Sequence, residues 1–586
     1  MKNFKCTRAF IFSAVILFMF SSKAYSDNFE PSLYANESDS FYIETKSFKD
    51  MIESLKSFYF SLRDKNGIQE WNMLGLRAKL LFDINFLDIE SLKKIGADIE
   101  SPAGFSVKIK SLDINTDFQK DITDNWVFFI PAKNSNILYK SIHKIITKSI
   151  NNSTIPTKGQ QKQKKTIPEL TEIEKDKLLH YKKKDFELYI AKAENFLVFS
   201  ENKEQALNSL EKSSTPIKNA PYFQNNLEFI KNSNNNDNMI FYYTVNPAQT
   251  KDMLDSILKN LPVTIPKQNQ KPITDENQSN LLSTGGILSI DKTKLNFISN
   301  TTYKNGYLDD TSKKIPAILD ATAKNLSIDY YSGLITFYMT LKINFQKIIL
   351  LLKEVNPTTQ IELANLSKKI SPKGDYNIEN DLIPALTGKL SLLIGSIPAE
   401  KKIRDFSTWD GYFSFGILPE KKENIEKLIL KIKEEDKSIE LKTSDYEKGK
   451  LYEIKFMTPE KKENKKNKTK TASPNKPNYL YLYLTESECV ISTSKEKLKN
   501  ITNNNNQTLV KKLNLLSTEN EERLYFSFYL NITSVVNYIK TSSIKFLAAS
   551  FLPYFTNLSD FSINAYKKEN SLQEIIQLRL KKTAIP

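Results

Sequence analysis

Histidine and cysteine are nearly missing from this chain, two of each among 586 residues. His143 and His180 cannot furnish a His-rich metal site. Cys6 and Cys489 cannot build a disulfide framework or a Cys-rich zinc site. Glycine is scarce as well, at 15 residues, and neither GxGxxG nor GxxxxGK[ST] occurs. Phosphate-cradling loops therefore have little to be made from. Asp-x-Asp-x-Asp calcium loops are absent too. Arginine is the fourth shortage. Only Arg8, Arg63, Arg77, Arg404, Arg523 and Arg579 stand among 84 basic residues, and the rest are Lys. Nucleic-acid readers favour the bidentate fork of Arg, so the excess of +16 points away from a nucleic-acid partner. No cofactor and no metal are expected.

What is present begins with an export signal. Lys2, Lys5 and Arg8 precede an apolar stretch from Ala9 to Phe20, and Ala24-Tyr25-Ser26 supplies a small-x-small cleavage site. The stretch is short of the roughly 20 apolar residues that a spanning helix needs. Residues 1–26 therefore read as a signal peptide. Their removal takes four basic residues and no acid, lowering the net charge from +16 to +12. The mature chain keeps Cys489 alone, so no intramolecular disulfide is available. No later segment approaches 18 uninterrupted apolar residues, so no transmembrane segment is expected after signal removal. A periplasmic or secreted location follows, with weak attraction to anionic envelope polymers or lipid headgroups open to the basic excess.

Four segments then recur in order. Phe41-Tyr42-Ile43 returns as Phe337-Tyr338-Met339, at an offset of 296. Val127 to Pro131 returns as Phe415 to Pro419, at 288. Leu188-Tyr189-Ile190 through Val198-Phe199-Ser200 and Lys203-Glu204 returns as Leu480-Tyr481-Leu482 through Val490-Ile491-Ser492 and Lys495-Glu496, at 292 without a gap. Ile240 to Asn246 returns as Tyr525 to Asn531, at 285. Short apolar runs recur by chance, but four in order with nearly constant offsets do not. The expected organisation is two tandem halves, 27–305 and 306–586. Each is an α+β unit with an antiparallel or mixed sheet and helices packed on one face. The Lys-rich stretches Asn151–Lys184 and Met457–Asn478, and the Pro-containing Lys259–Asn280, read as surface loops.

The repeated strand, turn, Val-x-x-Ser, Lys-Glu, helix element at 188–210 and 480–501 resembles an exported bacterial family, domain of unknown function 3352. So do Ile95-Gly96-Ala97-Asp98 and Pro102-Ala103-Gly104-Phe105 ahead of a strand. Leu386-Thr387-Gly388 is the nearest counterpart to the Gly-x-Asp stretch in the second half. The resemblance implies an envelope location and carries no activity with it.

Few residues invite chemistry. His143 lies in a helical pattern and His180 in a Lys-rich stretch. Neither has a repeated counterpart, and a triad needs one beside a nucleophile. Cys489 alternates in a strand as a small core hydrophobe does. Trp409-Asp410-Gly411 resembles a sugar-stacking corner with an acid beside it, and equally a turn into the Tyr412–Phe415 strand. No catalytic residue is assigned. The remaining signal is aromatic: Tyr42, Tyr189, Tyr338 and Tyr481 occupy matched positions, and Tyr offers a rigid ring with a polar tip to a partner. They form the expected partner or ligand surface. The expected function is a non-catalytic envelope protein with a binding or structural role, its partner an envelope component or an amphiphilic ligand. A carboxylate-based envelope-glycan hydrolase and a carrier of an amphiphile between the halves are the alternatives. Sequencing the mature N-terminus checks the export reading: Asp27 or a neighbour is expected, and an intact Met1 in a membrane-embedded product contradicts it.

Overall fold

The computed structural model of the chain describes residues 29–63, 65–108, 125–154, 168–183, 186–233, 239–248, 280–319, 324–356, 358–398, 410–456, 478–496, 498, 508, 509, 513, 523–542, 545–549 and 551–581. The expected signal peptide, the Lys162–Lys165 run and the 457–477 stretch lie outside these residues, as does nearly all of 259–280. The chain divides into two compact units. One runs to Lys304 and takes in the last residues from Arg579; the other spans Asn305–Leu578. Helices and antiparallel strands make each of them an α+β unit.

In the first unit the strands are β1 (Phe41–Thr45), β2 (Gly104–Val107), β3 (Trp126–Pro131), β4 (Glu169–Glu174), β5 (Leu178–Lys183), β6 (Phe186–Lys192), β7 (Phe196–Ser200), β8 (Met239–Val245), β9 (Leu281–Ile290) and β10 (Lys294–Tyr303). They pair antiparallel in the order β4-β5-β6-β7-β3-β2-β1-β8-β9-β10. The second unit holds β11 (Phe337–Lys342), β12 (Leu386–Ile394), β13 (Gly411–Ile417), β14 (Ile439–Tyr446), β15 (Gly449–Phe456), β16 (Asn478–Leu484), β17 (Glu488–Ser492), β18 (Leu524–Asn531), β19 (Leu558–Lys567) and β20 (Ser571–Leu580). Their order is β14-β15-β16-β17-β13-β12-β11-β18-β19-β20, the same sequence of places as in the first unit.

Registers follow the same plan. Tyr189 pairs with Ser200 as Tyr481 pairs with Ser492. Tyr42 pairs with Thr244 as Tyr338 pairs with Tyr529. One match of the sequence reading shifts. Phe129 faces Val198 while Ser414 faces Val490, so Pro131 stands where Gly416 does, not Pro419. The prolines misled because Pro131 is the last residue of β3, whereas Pro419 opens a 3-10 turn after β13. Another expectation is corrected in the Asn151–Lys184 stretch. Its second part forms the β4–β5 hairpin, because Leu178, Leu179 and Tyr181 give the run a buried apolar side that its lysines obscure.

Several helices start where side chains can hold free N–H groups. Helix α1 (Phe48–Arg63) and α2 (Lys65–Phe82) form a hairpin, and α3 (Ile89–Lys94) is capped by Asp88. α4 (Ser135–Thr154) follows β3, and α5 (Lys203–Asn208) is capped by Asn202. α6 (Pro221–Asn232) begins with Pro at its first position, where no N–H is needed. In the second unit, Asn344 caps α7 (Phe345–Val355), which leads to α8 (Thr358–Ile370). α9 (Lys422–Glu435) follows β13, and Asn531 caps α10 (Ile532–Thr541).

Both faces of the central strands are covered, where the sequence reading expected helices on one. On one face of the first sheet, Phe48, Met51 and Leu138 from α1 and α4 pack with Phe128, Leu179, Ile190 and Leu197. On the other, Phe223 of α6 meets Tyr42 at 5.7 Å and Tyr242 at 6.1 Å, and Phe29 stacks on Phe196 at 4.5 Å. In the second sheet, Ile425 and Ile429 of α9 pack on Leu482, Leu484 and Cys489, while Ile328, Tyr331, Leu498 and Leu509 cover Tyr338, Tyr412 and Val490 opposite. The alternation along the strands did not reveal the second cover, because that face carries Glu, Ser, Thr and Asn among its aromatics and reads as solvated.

Candidate functional site

The four matched tyrosines separate into two pairs. Tyr42 and Tyr338 lie wholly inside their own units, which corrects the expectation that they face a partner. Tyr42 donates its hydroxyl to Glu44, two residues along β1 and on the same face, at 2.5 Å. Tyr242, opposite Glu44 on β8, supplies a second hydroxyl to this carboxylate. Burial pushes Glu44 up to about 7, against the pull of the two phenols, with Glu30 raising it further and Lys218 lowering it. Tyr338 donates to Asp329 at 2.7 Å, a carboxylate brought by the 3-10 turn Ser327–Tyr330 rather than by its own strand. Asp329 also accepts from Ser391 at 3.0 Å and from the Leu326 N–H at 2.8 Å, and pairs with the buried Lys389 at 2.5 Å. Nearby, Glu488 accepts from the Ser327 N–H at 2.8 Å, and burial raises its pKa. These are closed hydrogen-bond networks that seal the polar face of each sheet.

Tyr189 and Tyr481 are half-buried. Tyr189 stacks on His180 at 4.5 Å with rings 6° apart, and donates to Glu187 at 3.0 Å. Lys182 and His180 hold the same carboxylate at 2.6 and 3.3 Å. His180 thus belongs to β5, not to a loop. Tyr481 stacks on Tyr479 at 6.2 Å. The two half-buried tyrosines carry different neighbours, each within its own unit. His143 lies on α4. Cys489 is buried in the core beneath α9, where burial pushes its thiol up and away from reactivity. Asp410 takes the Ser396 hydroxyl and lies against Tyr331 and Tyr412. Among the described residues, no three His, Cys, Asp or Glu side chains converge as metal ligands would.

The feature that packing does not account for is apolar surface on helices. α2 packs against α1 through Trp71, which meets Tyr59 at 5.9 Å and Phe60 at 6.2 Å. Gly67 lets the two helices approach: a Cβ there would lie 3.1 Å from the Phe60 Cα and 3.2 Å from the Tyr59 carbonyl oxygen. With Trp71, the small residues Gly67, Gly75 and Ala78 turned to one side, the large aliphatic residues of α2 are left outside. Ile68 is 53% exposed, Leu76 57% and Leu80 67%, and Met73, Leu74 and Leu81 are exposed with them. Ile68, Gln69, Asn72, Met73 and Leu76 line an open groove along this face. The α7–α8 hairpin of the second unit, also placed directly after its first strand, exposes Leu350, Leu352, Ile361 and Leu366. Phe546, Phe551, Tyr554 and Phe555 are exposed after α10. Scattered exposed apolar residues are ordinary, but six large ones on one 18-residue helix, with Met73, Leu76 and Leu80 side by side, are a concentration of the kind that marks an interaction site.

Sequence reasoning missed this face. Apolar periodicity tells that a helix has an apolar side, and the usual inference is that this side is buried. In α2 the buried side is built of Gly, Ala and Trp, so the aliphatic stripe points the other way. The signal that could have found it is the presence of both, glycines at 67 and 75 and leucines at 74, 76, 80 and 81, on one helix.

No family model matches the chain, and no curated protein matches it. A solved structure titled "Structure of crystal form III of TP0453" is similar over 45% of this chain and 83% of its own, at 10% identity and a TM-score of 0.22. Among the described residues, no helix is long and apolar enough to cross a membrane.

The buried Glu44 predicts a pH dependence with a definite sign. Its folded-state pKa of about 7 exceeds the ordinary 4.5, so the folded unit binds the proton more tightly than the unfolded chain. The stabilisation is fully present below about 4.5 and lost as pH rises through about 7, with an upper bound of roughly 3 kcal/mol. Glu44→Gln keeps the site neutral and removes this slope. Urea unfolding at about pH 5 and about pH 8 should show a smaller loss of stability in Glu44→Gln than in the parent chain. Equal losses in the two would contradict the assignment.

Proposed function

We propose that the chain is a non-catalytic, exported envelope protein that docks on another envelope component through the aliphatic face of α2. The single observation that carries this reading is the exposure of Ile68, Met73, Leu74, Leu76, Leu80 and Leu81 on one helix whose opposite side is already used in packing. The n-region, apolar stretch and Ala24-x-Ser26 site support export. The common strand order and the paired registers support descent of the two units from one duplicated ancestor, in line with the layout that resembles domain of unknown function 3352. Tyr42 and Tyr338 then serve as sealing groups of the sheets, and the partner surface moves from the strands to the helices that cover them.

The test is fractionation after expression in a Gram-negative host. The parent chain should appear with the envelope fraction. Leu76→Ser with Leu80→Ser should shift most of it to the soluble periplasmic extract while leaving its unfolding transition within about 0.5 kcal/mol of the parent, as expected for exposed sites. A double variant that stays with the envelope, or a parent chain that never goes there, contradicts the reading.

A further inference from the structure

The charges around the exposed stripe of α2 say what kind of surface it fits. At about 100° per residue, Met73, Leu76 and Leu80 fall within about 60° of one another, directly opposite Trp71. Arg77 emerges on one side of this stripe and Lys79 on the other, both exposed. Leu74 and Leu81 lie beyond Arg77, and Ile68 beyond Lys79. The only acid in the helix, Glu70, is turned toward α1, where it takes the Arg63 Nε–H at 2.9 Å and the Tyr59 hydroxyl at 2.6 Å. The outward arc of α2 therefore carries aliphatic residues and cations, with Asn66, Gln69 and Asn72 among them toward its N-terminal half, and no acid. Eighteen residues give a helix of about 27 Å, with Gln69, Asn72, Arg77 and Lys79 too polar for the interior of a bilayer. Such a helix lies in an interface: its aliphatic residues reach the acyl boundary, and the long stems of Arg and Lys carry their charges back to headgroup phosphates.

Resting on the docking reading above, we propose that the partner of this face is the surface of an anionic lipid bilayer, with Met73, Leu76 and Leu80 inserted and Arg77 and Lys79 on lipid phosphates. The chain-wide excess of Lys adds attraction to the same surface. A protein groove for an aliphatic helix face would be matched by the leucines alone. The cations on both flanks of the Met73, Leu76 and Leu80 stripe are what a headgroup layer specifically answers. The α7–α8 hairpin has a similar make-up within its own unit. Leu350, Leu352, Ile361 and Leu366 are exposed, alongside Lys347, Lys368 and Lys369, although α8 also exposes Glu362. α2 is the cleaner case and carries the assignment.

The test is flotation of the purified mature chain with vesicles of phosphatidylglycerol and phosphatidylcholine in equal parts, and with vesicles of phosphatidylcholine alone. The parent should float with the anionic vesicles and much less with the neutral ones. Leu76→Ser with Leu80→Ser should lower the partition by about tenfold or more on both. Arg77→Gln with Lys79→Gln should remove most of the preference for anionic vesicles, an effect that raised salt reproduces in the parent. Circular dichroism checks that each variant is folded. A parent chain that floats with neither vesicle, or a double-leucine variant that floats like the parent, overturns the inference. If the leucine variant leaves the cellular envelope fraction while the parent ignores vesicles, the docking reading stands, its partner is a protein or glycan, and the lipid assignment falls. If neither assay responds to the leucines, both fall.

Discussion

Each sheet has its central strands filled on both faces by the chain itself, and this constraint decides where function can reside. A sheet open on one side could present aromatic side chains to a ligand. Here Phe223, Phe29 and the 3-10 turn carrying Asp329 occupy that side, so the strands have no free face left at their centre. Much of the exposed apolar surface among the described residues belongs to helices, and α2 carries six such residues.

Filling the second face is costly, because it brings carboxylates and hydroxyls out of water. The two units meet that cost differently at the same place. Tyr42 and Tyr338 have equivalent positions beside the neighbouring strand, and each donates to a buried carboxylate. In the first unit the acceptor is Glu44 on the same strand, shared with Tyr242, and burial raises its proton affinity although Lys218 pulls the other way. In the second unit the strand position of Glu44 is taken by Thr340, and Asp329 arrives from a turn with Lys389 as its ion-pair partner. Directing the tyrosine hydroxyls at these carboxylates keeps most of the polar face from being a liability, although the buried Ser562 hydroxyl has no partner among the described residues.

Strand identity was legible where apolar alternation was strong and ungapped. The 188–204 and 480–496 match kept its register to the residue in β6–β7 and β16–β17, because tight turns leave no room for slippage. The β3 and β13 match slipped by three residues, since proline marks a strand end in one case and a turn start in the other. The β4–β5 hairpin was hidden by lysines that project from its outer face. The burial of Tyr42 and Tyr338 was not legible, because a tyrosine beside Glu or Thr on a strand looks the same whether the face is wet or sealed. The α2 surface was hidden by the habit of placing leucines inside and glycines at turns. Its packing reverses that assignment, and only the position of Trp71 against Tyr59 and Phe60 reveals which side is out.

On the proposed reading, the stripe of Met73, Leu76 and Leu80 on α2 is open to solvent in the protein alone and covered only at the envelope. A nitroxide on Leu80→Cys tests this most directly, because Cys489 is buried and Cys6 falls within the expected leader. Collision rates with a water-soluble nickel chelate and with oxygen are measured on the mature chain, alone and with anionic vesicles. The account predicts a mobile label, open to the nickel reagent, in the free protein. On the vesicles, access shifts from nickel to oxygen. A label that is immobile and shielded in the free, monomeric chain would show the stripe to be covered by the protein itself, and would contradict the account.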